Sequence, residues 1–206
     1  MSKPIKIIFW IGLSAILGLF FYECIEWIHV HRGIAYGDLT RDPNAIHNSP
    51  KYIGLLSQTG MIFWFGTAGI LLFGATFVKQ NEQDKNVFFF LTNAFLLTLF
   101  LGLDDLFMFH DELAHRGIRE EYFYIFYAFW LSSSIIFFRR IIKNTLFPLI
   151  LVYGTVFGCS IIIDKLIAEA YLIEDMLKFI GILNWSFYWT TSAYSLIEKN
   201  TVSRSH

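Results

Sequence analysis

Charged residues are scarce in this 206-residue chain: Asp, Glu, Lys and Arg together make up 16% of it. A soluble domain would carry about 25%. Proline and cysteine are rarer still, with 4 and 2 residues. So few prolines beside 23 Phe exclude a disordered or collagen-like chain. Two Cys cannot build a disulfide framework. There is no basic block and the net charge is −1, so nucleic acid is excluded as an expected partner. Neither a Walker A loop nor a Gly-x-Ser-x-Gly elbow occurs.

What the chain has instead is apolar surface. It is 55% hydrophobic and 19% aromatic, with a mean hydropathy of +0.52. This composition predicts an all-α, polytopic transmembrane helical bundle. Six apolar stretches lie between charged breaks, at about 7–30, 53–78, 87–109, 122–138, 146–163 and 176–197. Each is near the ~20 residues that a helix needs to cross ~30 Å of hydrocarbon. The stretches lack the alternation of barrel strands. Links at 79–85 and 139–144 leave no room for a soluble domain, so residues 1–206 read as one integral membrane domain. Lys3 and Lys6 before the first run resemble a signal peptide, but the run continues through Trp27 and Ile28 without a small-residue cleavage site. A retained first helix is expected.

Basic residues set the orientation. The N-terminus, both short links and the C-terminal tail hold nine of the sixteen Lys and Arg, which predicts that both termini are cytoplasmic. The expected location is a bacterial inner (plasma) membrane. Acids are more lopsided: only Glu82, Asp84 and Glu198 fall on the cytoplasmic side, and fourteen of seventeen fall on the other. The inner face is left near +6 and the outer near −7. Acids contribute little to topology, so the excess points to another cause.

Depth suggests one. Glu23 and Glu26 come ~24–28 Å along the first helix, Asp104 and Asp105 ~26 Å along the third, and Asp164 ~27 Å along the fifth. The sixth starts at the same level with Glu174 and Asp175. Carboxylates at this depth are costly unless they face the bundle interior, water or a partner. Glu26 with His29 and Glu112 with His115 are Glu-x-x-His pairs, a spacing that sets two metal ligands side by side on a helix. The expected ligand set is Glu23, Glu26, His29, Asp104, Asp105, Asp111, Glu112, His115 and Glu174, holding a divalent metal of unspecified identity. Asp104, Asp105 and His110 are the expected catalytic groups, and Lys178 or Arg116 would steady a developing anion or pair structurally. On a straight helix His110 lies roughly 120° from Asp104.

Two functions from different classes fit this layout. One is a metal-dependent membrane hydrolase, with activated water attacking a lipid or lipid-like amphiphile at the outer surface. The other is non-catalytic: a cation-binding or transport protein, or an accessory subunit packed on membrane-protein partners. Salt bridges among Arg32, Arg116, Arg119, Lys165, Lys178 and the acids would explain the layer without any site. No His-x-x-x-His occurs, which rules out the zinc site of ceramidase-like membrane hydrolases. Six His are too few for the His boxes of membrane desaturases.

Remaining features read as structure. Gly60, Gly66, Gly69 and Gly74 are expected helix-packing contacts, and Cys24 and Cys159 buried apolar groups. Ser134 is expected to bond a carbonyl four residues back, and Asn184 to bond a neighbouring helix. The link 31–51 is expected to be a solvated loop. HRGI recurs at 31–34 and 115–118, a faint echo of a repeated two-helix unit.

Overall fold

The computed structural model describes residues 3–40, 54–80, 84–110, 113, 117–167 and 169–202, the last four by backbone alone. Its elements are helices α1 (Lys3–Arg32), α2 (Tyr36–Thr40), α3 (Leu55–Gln80), α4 (Lys85–Phe107), α5 (Glu121–Phe137), α6 (Arg139–Ile142), α7 (Pro148–Leu166) and α8 (Tyr171–Val202). No strand occurs among the described residues. The six long helices fall on the six apolar stretches of the sequence, and α8 extends beyond its stretch at both ends.

Four of them, α1, α3, α4 and α7, are long and apolar enough to cross a membrane. At 17 residues, α5 covers only ~25 Å against the ~30 Å of a hydrocarbon core. In α8 the apolar run is interrupted by Asn184, Ser186 and Ser192, all buried. The described helices leave large apolar side chains on their outer surface: Ile5, Ile8, Phe9, Ile16, Leu19 and Phe20 on α1 are all more than half exposed. Such a surface suits hydrocarbon, where each helix satisfies its own backbone.

The chain divides into two compact units, Met1–Phe63 with Pro148–Phe187, and Trp64–Phe147 with Tyr188–His206. The first has a core of Ile25, Leu39, Leu56, Met176, Phe179 and Leu183. Within it Gly18 admits Ile180 so closely that a Cβ would stand 2.6 Å from Cγ1. Four residues before Gly18, Ser14 accepts a 2.8 Å bond from the fully buried Asn184 amide, the interhelical bond expected of that residue. The link after α1 departs from expectation. Gly33 takes a left-handed conformation (φ 64°), and α2 then brings Leu39 and Thr40 into the interior. Ile34 and residues 36–40 are therefore packed rather than solvated, because Ile34, Tyr36 and Leu39 supply the apolar groups that the core takes up; the rest of the link, 41–51, lies outside the described residues.

In the second unit Phe90 packs on Trp189 and Phe138, each with ring centroids 5.3 Å away. The indole of Trp130 donates to Asn93 Oδ1 at 2.9 Å, Asn93 donates to Ser134 at 2.8 Å, and Ser134 donates to the Trp130 carbonyl at 2.7 Å. This closed network joins α4 to α5 and includes the four-residue back-bond expected of Ser134. Gly74 meets Leu91 and Ala193 here, whereas Gly66 and Gly69 face open space. The expectation that all four glycines of α3 make packing contacts thus holds for Gly60 and Gly74 only. Cys159 is exposed and Cys24 half-buried, so neither is the fully buried thiol expected.

Candidate functional site

The most developed polar arrangement stands where α4 ends. Met108 adopts φ 51°, ψ 44°, a left-handed conformation that costs a residue with a Cβ roughly 1–2 kcal/mol. This stops the helix at Phe107 and turns the following residues back. The Asp104 carboxylate receives them: Oδ1 accepts the His110 main-chain N–H at 3.1 Å, and Oδ2 lies 3.2 Å from His110 Nδ1. The 120° separation expected on an unbroken helix is therefore overturned, because the helix does not continue to residue 110. Asp104 is only 6% exposed. Burying a carboxylate is strongly unfavourable unless its lone pairs find donors; the His110 main-chain N–H is one, and the imidazole stands within ion-pair distance.

Neighbouring side chains complete this end of the second unit. The Tyr127 hydroxyl, 3.5 Å from the Phe100 carbonyl, also lies close enough to Asp104 to interact with it. The His110 ring centroid is 6.0 Å from that of Tyr124. Asp105, the next residue along α4 from Asp104, points elsewhere and accepts the indole N–H of the buried Trp64 at 3.1 Å. Trp64 sits where Gly102 leaves room for it, so Asp105 and Gly102 together seat one large side chain of α3. Phe107 and Phe109, with ring centroids 5.4 Å apart, are exposed beside the pair.

Glu23, Glu26, His29, Asp164, Glu169, Glu174 and Lys178 belong to the first unit. Glu26 accepts the Tyr36 hydroxyl at 2.7 Å. His29 Nδ1 lies 2.7 Å from the Ile34 carbonyl, which can only accept, so Nδ1 carries the proton and Nε2 the lone pair of the neutral ring. The His29 ring stacks on Tyr36 with centroids 4.0 Å apart. Glu26 and His29 thus share one face, as their spacing predicts, and Tyr36 joins them across the Gly33 turn. The hydrogen bond to Glu26 pushes the Tyr36 phenol up to about 12. Glu23, Asp164 and Glu169 are exposed, while Glu174, Asp175 and Lys178 are each engaged by partners. Of the basic residues expected to pair with the acids, Arg119 makes a two-pronged bond to Glu121 at 3.2 Å on each nitrogen.

Asp111, Glu112, His115 and Arg116 lie outside the described residues. Among the described residues no group of three or more His, Cys, Asp or Glu is arranged to hold a metal ion. Tyr36 and Tyr127 went unnoticed in the sequence. A Tyr in an apolar helix needs a partner for its hydroxyl, and that need was the available signal for Tyr127.

No curated protein and no solved structure matches the chain. A match does extend over residues 8–191, to the family described as Domain of unknown function (DUF8692). The chain belongs to that family.

Proposed function

We propose that this protein is a multi-pass membrane hydrolase whose working group is the Asp104–His110 pair. The observation that carries the reading is a buried carboxylate 3.2 Å from an imidazole Nδ1. An imidazole that faces a carboxylate with one nitrogen is left to work through the other, as a general base. In the reaction His110 Nε2 takes a proton from water, and the water oxygen bonds to the carbonyl or phosphoryl centre of the substrate. Asp104 stabilises the imidazolium, which then protonates the departing alcohol or amine. A divalent ion would lower the pKa of the water and polarise the bond attacked. Its ligands by sequence position would be Asp111, Glu112 and His115, because the one free lone pair of His110 is the base. The substrate is a lipid or amphiphile: exposed Phe107 and Phe109 suit an acyl chain arriving through the bilayer.

The same proposal takes all six long helices across the membrane, with both termini on the cytoplasmic face of a bacterial inner membrane. Support comes from the Lys and Arg of the termini and short links. Metal analysis of the purified chain, loaded with zinc and dialysed, tests the metal part. About one equivalent bound, lost in E112Q/H115Q and kept in H110Q, is expected. Less than about a tenth of an equivalent on the wild type would remove the metal and leave His110 as a base alone.

A further inference from the structure

A second site stands at the other end of the same unit. α5 presents an apolar face of Tyr122, Ile125, Phe126, Phe129, Ile136 and Phe137, interrupted only by Ser132 and Ser133. Ile136 and Phe137 are 70% and 79% exposed, a surface that suits hydrocarbon surroundings. The chain then bends at Phe138 (φ −96°, ψ 19°). Phe138 and Ile142 turn inward and are buried, while Arg139, Arg140 and Lys143 are exposed. Two guanidiniums therefore follow the last lipid-facing aromatic by only ~3–5 Å of helical rise, which is within side-chain reach of the phosphate layer.

We propose that Arg139 and Arg140 form a docking site for the phosphate group of an anionic phospholipid. The inference rests on the reading of α5 as a membrane-embedded helix. Among the described residues no carboxylate pairs with either side chain, in contrast to Arg119, whose guanidinium is already engaged by Glu121. A guanidinium matches phosphate oxygens with paired N–H donors. Adjacent guanidiniums with Lys143 close behind repel the ammonium group of a zwitterionic lipid, so an anionic headgroup is favoured. Phe138, seated against Phe90 with ring centroids 5.3 Å apart, fixes where the bend presents the pair.

The test uses the full chain in phosphatidylcholine vesicles, with spin-labelled phosphatidylglycerol or phosphatidylcholine as the probe. The wild type should hold phosphatidylglycerol ~2-fold or more in preference to phosphatidylcholine. R139Q/R140Q should bring that ratio towards unity with helical content unchanged, and R119Q should leave it as it was. A ratio unaltered by R139Q/R140Q overturns the proposal, and so does loss of the preference on adding excess inorganic phosphate, which would make this a site for the free ion. An F137W reporter separates the two layers of the argument. Quenching by brominated phosphatidylcholine is expected. Its absence would remove the membrane placement of α5, whereas quenching with an unaltered lipid ratio would remove the docking site alone.

Discussion

Asp104 accepts the main-chain N–H of His110 at 3.1 Å and stands 3.2 Å from its ring Nδ1, across the left-handed turn at Met108. The carboxylate thus serves as a helix stop and an imidazole holder together. Replacing it with alanine leaves the His110 main-chain N–H without its acceptor, takes the carboxylate away from the imidazole and leaves the Met108 conformation without support. D104A should lower unfolding stability in detergent by ~1–3 kcal/mol. D104N, which keeps an acceptor for the main-chain N–H, should lose less. Denaturant unfolding followed by tryptophan fluorescence checks this, and an unchanged D104A would refute the role.

Tyr36 offers a pH reading away from the apolar spans. Its phenol is pushed up to about 12 by the bond to Glu26. A folded-state value above the ordinary one near 10 means that the bond's contribution is complete below about pH 10 and disappears as pH rises through about 12. Tyrosine ring carbon shifts, assigned by comparison with Y36F, should show the high titration. In E26Q the midpoint should return towards 10. The same midpoint in both proteins would mean that Glu26 is not the cause.

Glycines on α3 and α4 separate close contact from open surface. A Cβ at Gly102 would lie 3.0 Å from the Cβ of Trp64, an atom that moves only with its backbone. G102A should therefore destabilise by ~1–3 kcal/mol. G66A meets nothing within 4 Å and should be neutral or stabilising by up to ~1 kcal/mol through helix propensity. Equal effects in the same unfolding assay would contradict the packing.

The Asn93 network gives a third stability test. N93A removes the acceptor of Trp130 and a donor to Ser134, and should cost ~0.6–2 kcal/mol. A double-mutant cycle of N93A with W130F should show positive coupling. Strict additivity would mean that the pair does not interact in solution.

The six long helices were legible because unbroken apolar runs between charges are strong signals, as the runs now in α3 and α4 show. Two points escaped, each for its own physical reason. A left-handed residue without glycine, Met108, leaves no mark in the sequence, yet it decides that His110 meets Asp104 instead of lying on another face. At Gly33 the mark was present, but hydrophobic patterning could not show that α2 would fold inward and bring Tyr36 to Glu26. The stripe of Glu26 and His29 was readable from helical spacing alone. Trp64 as the partner of Asp105 was not, since 41 residues separate them and only packing brings them together.

Hydrolysis itself is the most direct measurement. The full chain, reconstituted in vesicles of phosphatidylcholine and phosphatidylglycerol doped with a fluorescent diacyl phospholipid and a fluorescent N-acyl lipid, is incubated with zinc and the products are separated by mass. Release of a labelled acid or headgroup from one of the two is predicted, falling ~10²–10⁴-fold in H110Q and also in D104N, while both variants keep wild-type helical content. Cleavage by H110Q at the wild-type rate, or intact lipids after prolonged incubation with the wild type, would contradict the assignment of Asp104 and His110 as the working pair.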